Sequence, residues 1–248
     1  MLYNAHGEAM LSTRTRTKFM RISLGIIMLA AAISPSPAFQ QQSAPIPFKA
    51  QDEDRERYQR PNDVLKALEI SSGDWVADVG AGNGYYAQHM ADMVGPSGKV
   101  FAEDIADYAI DFLHQRVKMF DLRNVEVVRG KVDTPKLPPE SLAAVLVVNT
   151  YHHFTDYESM LKQIFSSLKP GGRFVIADYS FADHRSQSRA DQLKIHEIDP
   201  ELVRTEVGRV GFQVLKCEDP FLKRMPELKN GDRIAYADMW LMIAVRPR

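Results

Sequence analysis

Short, uninterrupted apolar runs alternate with stretches of helical apolar spacing through most of the chain. Trp75–Val79, Lys99–Ile105, Val125–Arg129, Ala143–Val148 and Arg173–Asp178 read as strands. Between and before them, Pro61–Ile70, Tyr85 to about Met93, Ala109–Phe120 and Tyr157–Leu168 read as helices. Strands apolar at nearly every position and separated by helices predict a parallel sheet buried on both faces. The alternation then changes. Asp199 is placed to cap a helix with Pro200 at its first position, running to Val210 and ended by Gly211. Phe212–Cys217, a polar excursion over Pro220–Asp238, and Trp240–Val245 follow. Two last strands with no helix between them predict an antiparallel closing pair.

The first strand empties into Gly80-Ala81-Gly82-Asn83-Gly84, and a helix starts directly behind it. Glycines let the backbone take positive φ and let a ligand approach without meeting a Cβ. The free N–H groups of the following helix favour an anionic group. A dinucleotide fingerprint would place its third glycine one residue later, where Tyr85 sits. The second strand ends in Asp104, where a carboxylate can accept hydrogen bonds from both hydroxyls of a ribose. Glycine turn and acid in consecutive strand–helix units together predict a nucleoside-type cofactor.

These residues resemble the class I S-adenosylmethionine-dependent methyltransferases. Asp78-Val79-Gly80-Ala81-Gly82-Asn83-Gly84 is similar to that family's first motif, Asp104 to its ribose-binding acid, and Leu168-Lys169-Pro170-Gly171-Gly172 to its turn before the fifth strand. The likeness runs from about Pro61 to Arg248. It implies an α/β, Rossmann-like fold: a mostly parallel seven-stranded sheet with an antiparallel closing strand and helices on both faces. It also implies S-adenosyl-L-methionine as cofactor, lying across the C-terminal ends of the first, second and fourth strands. Backbone groups of Gly80 to Gly84, Gly82 among them, would receive its methionine portion, Asp104 the ribose, and Ile105 one adenine face; Asp78 counts among the cofactor-binding residues as part of the same motif. After the third strand Lys131 stands where many relatives carry an adenine-binding acid; Asp133 either takes that role or is a solvated loop carboxylate. Asn149 corresponds to a residue beside the methyl donor, with capping of the following turn as its bland alternative.

Methyl transfer from a sulfonium needs alignment above all, and a base only if the acceptor must lose a proton. His152 and His153 in Thr150-Tyr151-His152-His153-Phe154 are the first candidates, because imidazole titrates near neutrality. Asp178, Tyr179 and then His196 come next. Adjacent histidines on one turn rarely converge on one ion, so no metal is expected. The stretch from His184 to Asp199 reads as a mobile cover over an acceptor pocket or as a solvated connector. Tyr85, Tyr86, Tyr151, Phe154 and Tyr179 suggest a partly apolar pocket. The rival reading is a non-catalytic nucleoside-binding module of the same fold; a nicotinamide-dependent oxidoreductase is disfavoured by Tyr85 and by the closing strands.

Composition adds bounds. The 248 residues are 45% apolar with a formal net charge of −1, enough for one full core and without the basic cluster that nucleic acid would call for. A small-molecule or lipid-like acceptor is expected instead. Arg14, Arg16, Lys18 and Arg21 precede the apolar run Ile22–Ile33 and Ser34-Pro35-Ser36-Pro37-Ala38, the layout of a signal peptide over 1–38. Residues 39–60 then read as a linker or N-terminal extension, in which charge-dense Gln51–Arg60 is a solvated turn or helix, and 61–248 as the methyltransferase domain. Export or membrane proximity follows from the leader, although the cofactor is made in the cytosol and the sequence names no route for it. Cys217 is the only cysteine, so no internal disulfide forms. The oligomeric state is not written in the sequence.

Overall fold

The structure, a computed structural model, describes residues 48–223 and 238–248. By its contacts the chain divides into residues 1–44 and 45–248, and every described residue belongs to the second unit. The leader read over 1–38 and most of the polar excursion, 224–237, lie outside the described residues. Among the described residues no helix is long and apolar enough to cross a membrane.

Seven strands form one sheet: β1 (Trp75–Val79), β2 (Lys99–Asp104), β3 (Val125–Arg129), β4 (Leu142–Val148), β5 (Leu168–Ser180), β6 (Gln213–Leu222) and β7 (Asp238–Val245). Their order is β3-β2-β1-β4-β5-β7-β6. The first five pair in parallel, and β7 runs antiparallel to both β5 and β6. The helices are α1 (Phe48–Tyr58), α2 (Pro61–Ala67), α3 (Tyr85–Val94), α4 (Asp107–Met119), α5 (Tyr157–Ser167), α6 (Arg189–Lys194) and α7 (Pro200–Val210).

Period-two alternation along each central strand feeds a separate core on each face of the sheet. Val76, Ala102, Leu146 and Val175 pack with α2, α3 and α4 on one side. Ala77, Phe101, Val145 and Ile176 pack with α5 and α7 on the other. Each fully buried Leu, Ile or Phe contributes about 1.5–3 kcal/mol, so the two cores hold the strand ends rigidly.

The Lys169–Gly172 turn does interrupt pairing. The β4–β5 register jumps from Leu142↔Leu168 to Ala144↔Arg173, so these four residues loop out of the ladder. Gly171 N–H donates to the Arg246 carbonyl at 2.7 Å, tying the turn to the chain's end. Helix α7 starts as expected: Asp199 accepts from the Glu201 N–H, Pro200 opens the helix, and Gly211 closes it at φ 113°.

Two stretches are more fully built than their sequence reading. From residue 48 the stretch assigned to a linker is helix α1, bound to the domain through polar side chains. Arg116 donates to both carboxylate oxygens of Asp52, at 2.8 and 3.1 Å, and through Nε to the Asn83 carbonyl at 2.6 Å. Gln51 accepts from Asn83, Tyr85 donates to Glu56, and the Arg116 guanidinium lies 4.3 Å from the Phe48 ring centroid. The segment read as mobile or solvated, His184–Asp199, is a built connection. It contains α6 and is pinned by buried Gln192, whose Oε1 accepts from the Asp199 N–H at 2.7 Å.

Candidate active site

A cavity of about 580 Å³ opens at the C-terminal ends of β1, β2 and β4. Asp78, Gly80, Gly82, Asp104, Ile105, Asn149 and His153 all line it. Sheet topology puts them there, since strand order reverses between β1 and β4 and the loops diverge to leave a crevice.

Two of the glycines have different reasons to be glycine. Gly82, at φ 57°, has nothing within 4 Å of where a Cβ would stand, so its bare backbone faces the cavity. At Gly80 a Cβ would lie 2.1 Å from a Thr150 methyl carbon, so that glycine lets the β4 loop close over β1. Gly84 does not line the cavity; it packs against Leu113 and Arg116 of α4.

Asp104 is folded onto the loop. Its Oδ2 accepts from the Gly82 N–H at 3.0 Å, and its Oδ1 from Ile105 and Ala106 at 2.8 and 3.0 Å. Beside it are two buried carboxyls with orphaned oxygens. Asp78 and Glu103 are each 2% exposed, and Asp78 Oδ2 and Glu103 Oε1 have no hydrogen-bond partner. Desolvation pushes Asp78 up to about 7, against the nearby Arg55 charge and a backbone hydrogen bond that lower it. Desolvation likewise pushes Glu103 up to about 8, despite the Gly80 N–H it accepts. Orphaned carboxyl oxygens on a cavity wall call for a donor that the protein does not supply.

On the β4 side, Asn149 takes φ 50° and donates its N–H to the Ala177 carbonyl at 2.8 Å. It does not cap the next turn: Thr150 occupies that position, without a side-chain cap bond. His152 and His153 follow on a single 3₁₀ turn, Tyr151–His153. His152 is buried, with Nδ1 2.9 Å from Asp178 Oδ1 and Nε2 3.0 Å from His153 Nε2. A carboxylate only accepts, so His152 Nδ1 donates to Asp178, and with the proton on Nδ1 alone the His152 Nε2 accepts from His153 Nε2–H. That leaves His153 Nδ1 as the basic nitrogen of the chain. Burial lowers the His153 pKa, and His152 and His196 lower it further, against the Asp178 and Asp104 carboxylates. Beneath the turn, Tyr151 donates to buried Glu206 at 2.7 Å, and Glu206 also takes Arg189 Nε at 2.7 Å.

His196 also comes to this place, its ring centroid 5.2 Å from that of His153 and 5.5 Å from that of His152. The three imidazoles offer nitrogens within 4.8 Å of one another. The short contact between His152 and His153 is already accounted for by a hydrogen bond, so their geometry does not require an ion.

Asp133 is exposed at the tip of the 131–134 turn and is not on the cavity wall; Lys131 and Val132 are. Of the aromatics, Tyr86 and Phe154 reach the cavity, while Tyr85 and Tyr151 are core and Tyr179 accepts from Gln59. Sequence reasoning missed Arg55, Glu103 and Tyr108, which line the cavity. Glu103 adjoins Asp104 and was legible as a second acid on the same strand. Nothing in the glycine motif pointed to Arg55.

The residues present fit S-adenosylmethionine. Gly82 leaves open the space a Cβ would fill, and the orphaned oxygen of Asp78 is an acceptor for an ammonium. Residues 76–172 match the family described as "Methyltransferase domain". A demethylmenaquinone methyltransferase of Listeria welshimeri is 28% identical over 145 residues, covering 58% of this chain and 59% of that one. The chain's match thus spans about three-fifths of this curated relative's length. A SAM-dependent methyltransferase from Aquifex aeolicus superposes with a TM-score of 0.63 at 22% identity, covering 80% of this chain and 95% of the other. A Haemonchus contortus phosphoethanolamine N-methyltransferase solved with S-adenosylhomocysteine gives 0.58 at 17% identity, over 77% and 53%. The fold is that of the S-adenosylmethionine-dependent methyltransferase structures, and residues 76–172 match a methyltransferase domain.

Proposed function

We propose that this protein transfers a methyl group from S-adenosylmethionine to a small-molecule or lipid-like acceptor that approaches from the His153 side of the cavity. The observation that carries this reading is the cavity itself, with Gly82 and two unpartnered buried carboxyls on one wall and an imidazole chain on another. The bound cofactor supplies an activated sulfonium methyl. Asp104 is positioned to accept from ribose hydroxyls, Asp78 from an ammonium, and Ile105 and Val132 offer exposed apolar faces to a flat ring. Asn149 borders the same space.

His153 is the base in this reading. It takes the acceptor's proton at Nδ1, while His152 and Asp178 hold its other nitrogen and stabilise the charge that develops. Its partners fix the ring's orientation, so alignment needs little reorganisation during reaction. No metal is needed for this step, and treatment with a chelator should leave turnover unchanged. Loss of turnover restored by added zinc would instead assign the three imidazoles to an ion.

Phe154 and Met160, which line the cavity with His153, support an acceptor with an apolar or aromatic body. The name of the Listeria relative makes demethylmenaquinone a natural first compound. The leader composition supports an exported or membrane-proximal setting, and nothing in the charge pattern favours nucleic acid. The test is formation of S-adenosylhomocysteine by the full chain with demethylmenaquinone, reduced and oxidised, and other hydroxylated aromatics. Turnover with at least one, lost in His153→Gln, is expected. Cofactor binding without turnover on any of them would favour the non-catalytic module.

A further inference from the structure

Helix α1 does more than flank the site. Phe48, Gln51, Asp52 and Arg55 of α1, with Gln59 just past its end, recur at helical spacing and form an inward stripe. Four of the five are spoken for. Phe48 stacks on Arg116, Asp52 pairs with it, Gln51 binds Asn83, and Gln59 binds Tyr86 and Tyr179. Arg55 sits in the middle of this anchored stripe and lines the cavity. Its guanidinium carbon stands 5.8 and 6.0 Å from the ring centroids of Tyr85 and Tyr86. Its hydrogen bond is one N–H to Gln59 at 3.3 Å, and it makes no ion pair among the described residues. Across the same cavity wall Asp78 keeps Oδ2 unpartnered. The two charges act on each other without bonding.

An unpaired guanidinium fork and an unpaired buried carboxylate facing one cavity suit a ligand end that carries both charges. We propose that Arg55 and Asp78 form a two-point clamp for the α-amino-acid end of the cofactor, the guanidinium taking the carboxylate and Asp78 the ammonium. Arg55 is then a specificity-determining residue, and α1 is a wall of the binding site. The planar fork can meet a carboxylate with two parallel N–H bonds, which a lysine cannot. The clamp rests on the cofactor reading above but goes beyond it, because it assigns discrimination to a helix outside the glycine motif.

The test is calorimetry of the full chain with two ligands, S-adenosylhomocysteine and 5′-methylthioadenosine, which lacks the amino-acid end. In Arg55→Gln the affinity for S-adenosylhomocysteine should fall at least tenfold, while that for 5′-methylthioadenosine stays within twofold. Arg55→Lys should fall in between. Equal loss for both ligands would mean that Arg55 only holds α1 in place, and no loss for either would mean that it does not touch the ligand; both overturn the clamp. Wild-type protein that binds neither ligand would remove the cofactor reading itself, and the clamp with it.

Discussion

Three acids converge on the cavity, and each is held differently. Asp104 accepts from three backbone N–H groups and keeps acceptor capacity for a ligand hydroxyl, whereas Asp78 and Glu103 are buried with an oxygen unpartnered. An acid whose folded pKa lies above its unfolded value adds stability below the unfolded pKa, and that stability is lost as pH rises through the folded one. With Asp78 at about 7 and Glu103 at about 8, the ligand-free protein should lose stability from about pH 4 to pH 8. Arg55 and Lys136 oppose the shifts and Asp104 adds to them. Denaturant melts at pH 5 and pH 8.5 check this, and Glu103→Gln should flatten the slope. An equal slope in that variant would remove Glu103 as its source. For His153 the sign is opposite in kind. A base lowered by burial becomes active at lower pH, so the transfer rate should rise through a value below ordinary imidazole and then level off. A rate that instead rises only above the ordinary imidazole value, or falls as pH increases, would exclude His153 as the base.

Among the elements, the central strands and their helices were readable because each apolar run is buried on both faces. Bounds moved where pairing rather than burial sets them. β6 extends to Leu222 and β5 to Ser180 because β7 pairs along them. Helix α1 was not readable from apolar spacing, since Phe48 is its one buried residue. Gln51, Asp52, Glu56 and Gln59 bind it through polar side chains, and in sequence these look like a solvated stretch. His196, ranked last among the candidate bases in the sequence, reaches the other histidines by the connection that Gln192 pins, itself at φ 58°, which no local pattern shows. Breaking the Arg116–Asp52 contact should show what holds α1. Arg116→Leu should cost about 2–3 kcal/mol, towards the low end for a buried pair because Asp52 is partly exposed. Amide exchange over 48–58 should quicken well before the sheet's; unchanged protection there would mean that α1 is held by something else.

At the scale of the molecule, a parallel sheet closed by one antiparallel strand brings the β1, β2 and β4 loops together at one end, and the cavity is a consequence of that topology. The glycine turn and Asp104 were legible because each needs a special residue at a fixed place. Most of the remaining wall comes from elements distant in sequence, which no local pattern joins. The account stands on one ligand bridging the glycine loop and Asp104. Calorimetry of the full chain with S-adenosylhomocysteine, beside Asp104→Ala and Asp104→Asn, tests this most directly. One ligand per chain is expected, weakened at least tenfold in Asp104→Ala by loss of charge-assisted hydrogen bonds of about 1.5–3 kcal/mol, with Asp104→Asn between. Wild-type protein giving no heat of binding, or Asp104→Ala binding as tightly as wild type, would contradict it.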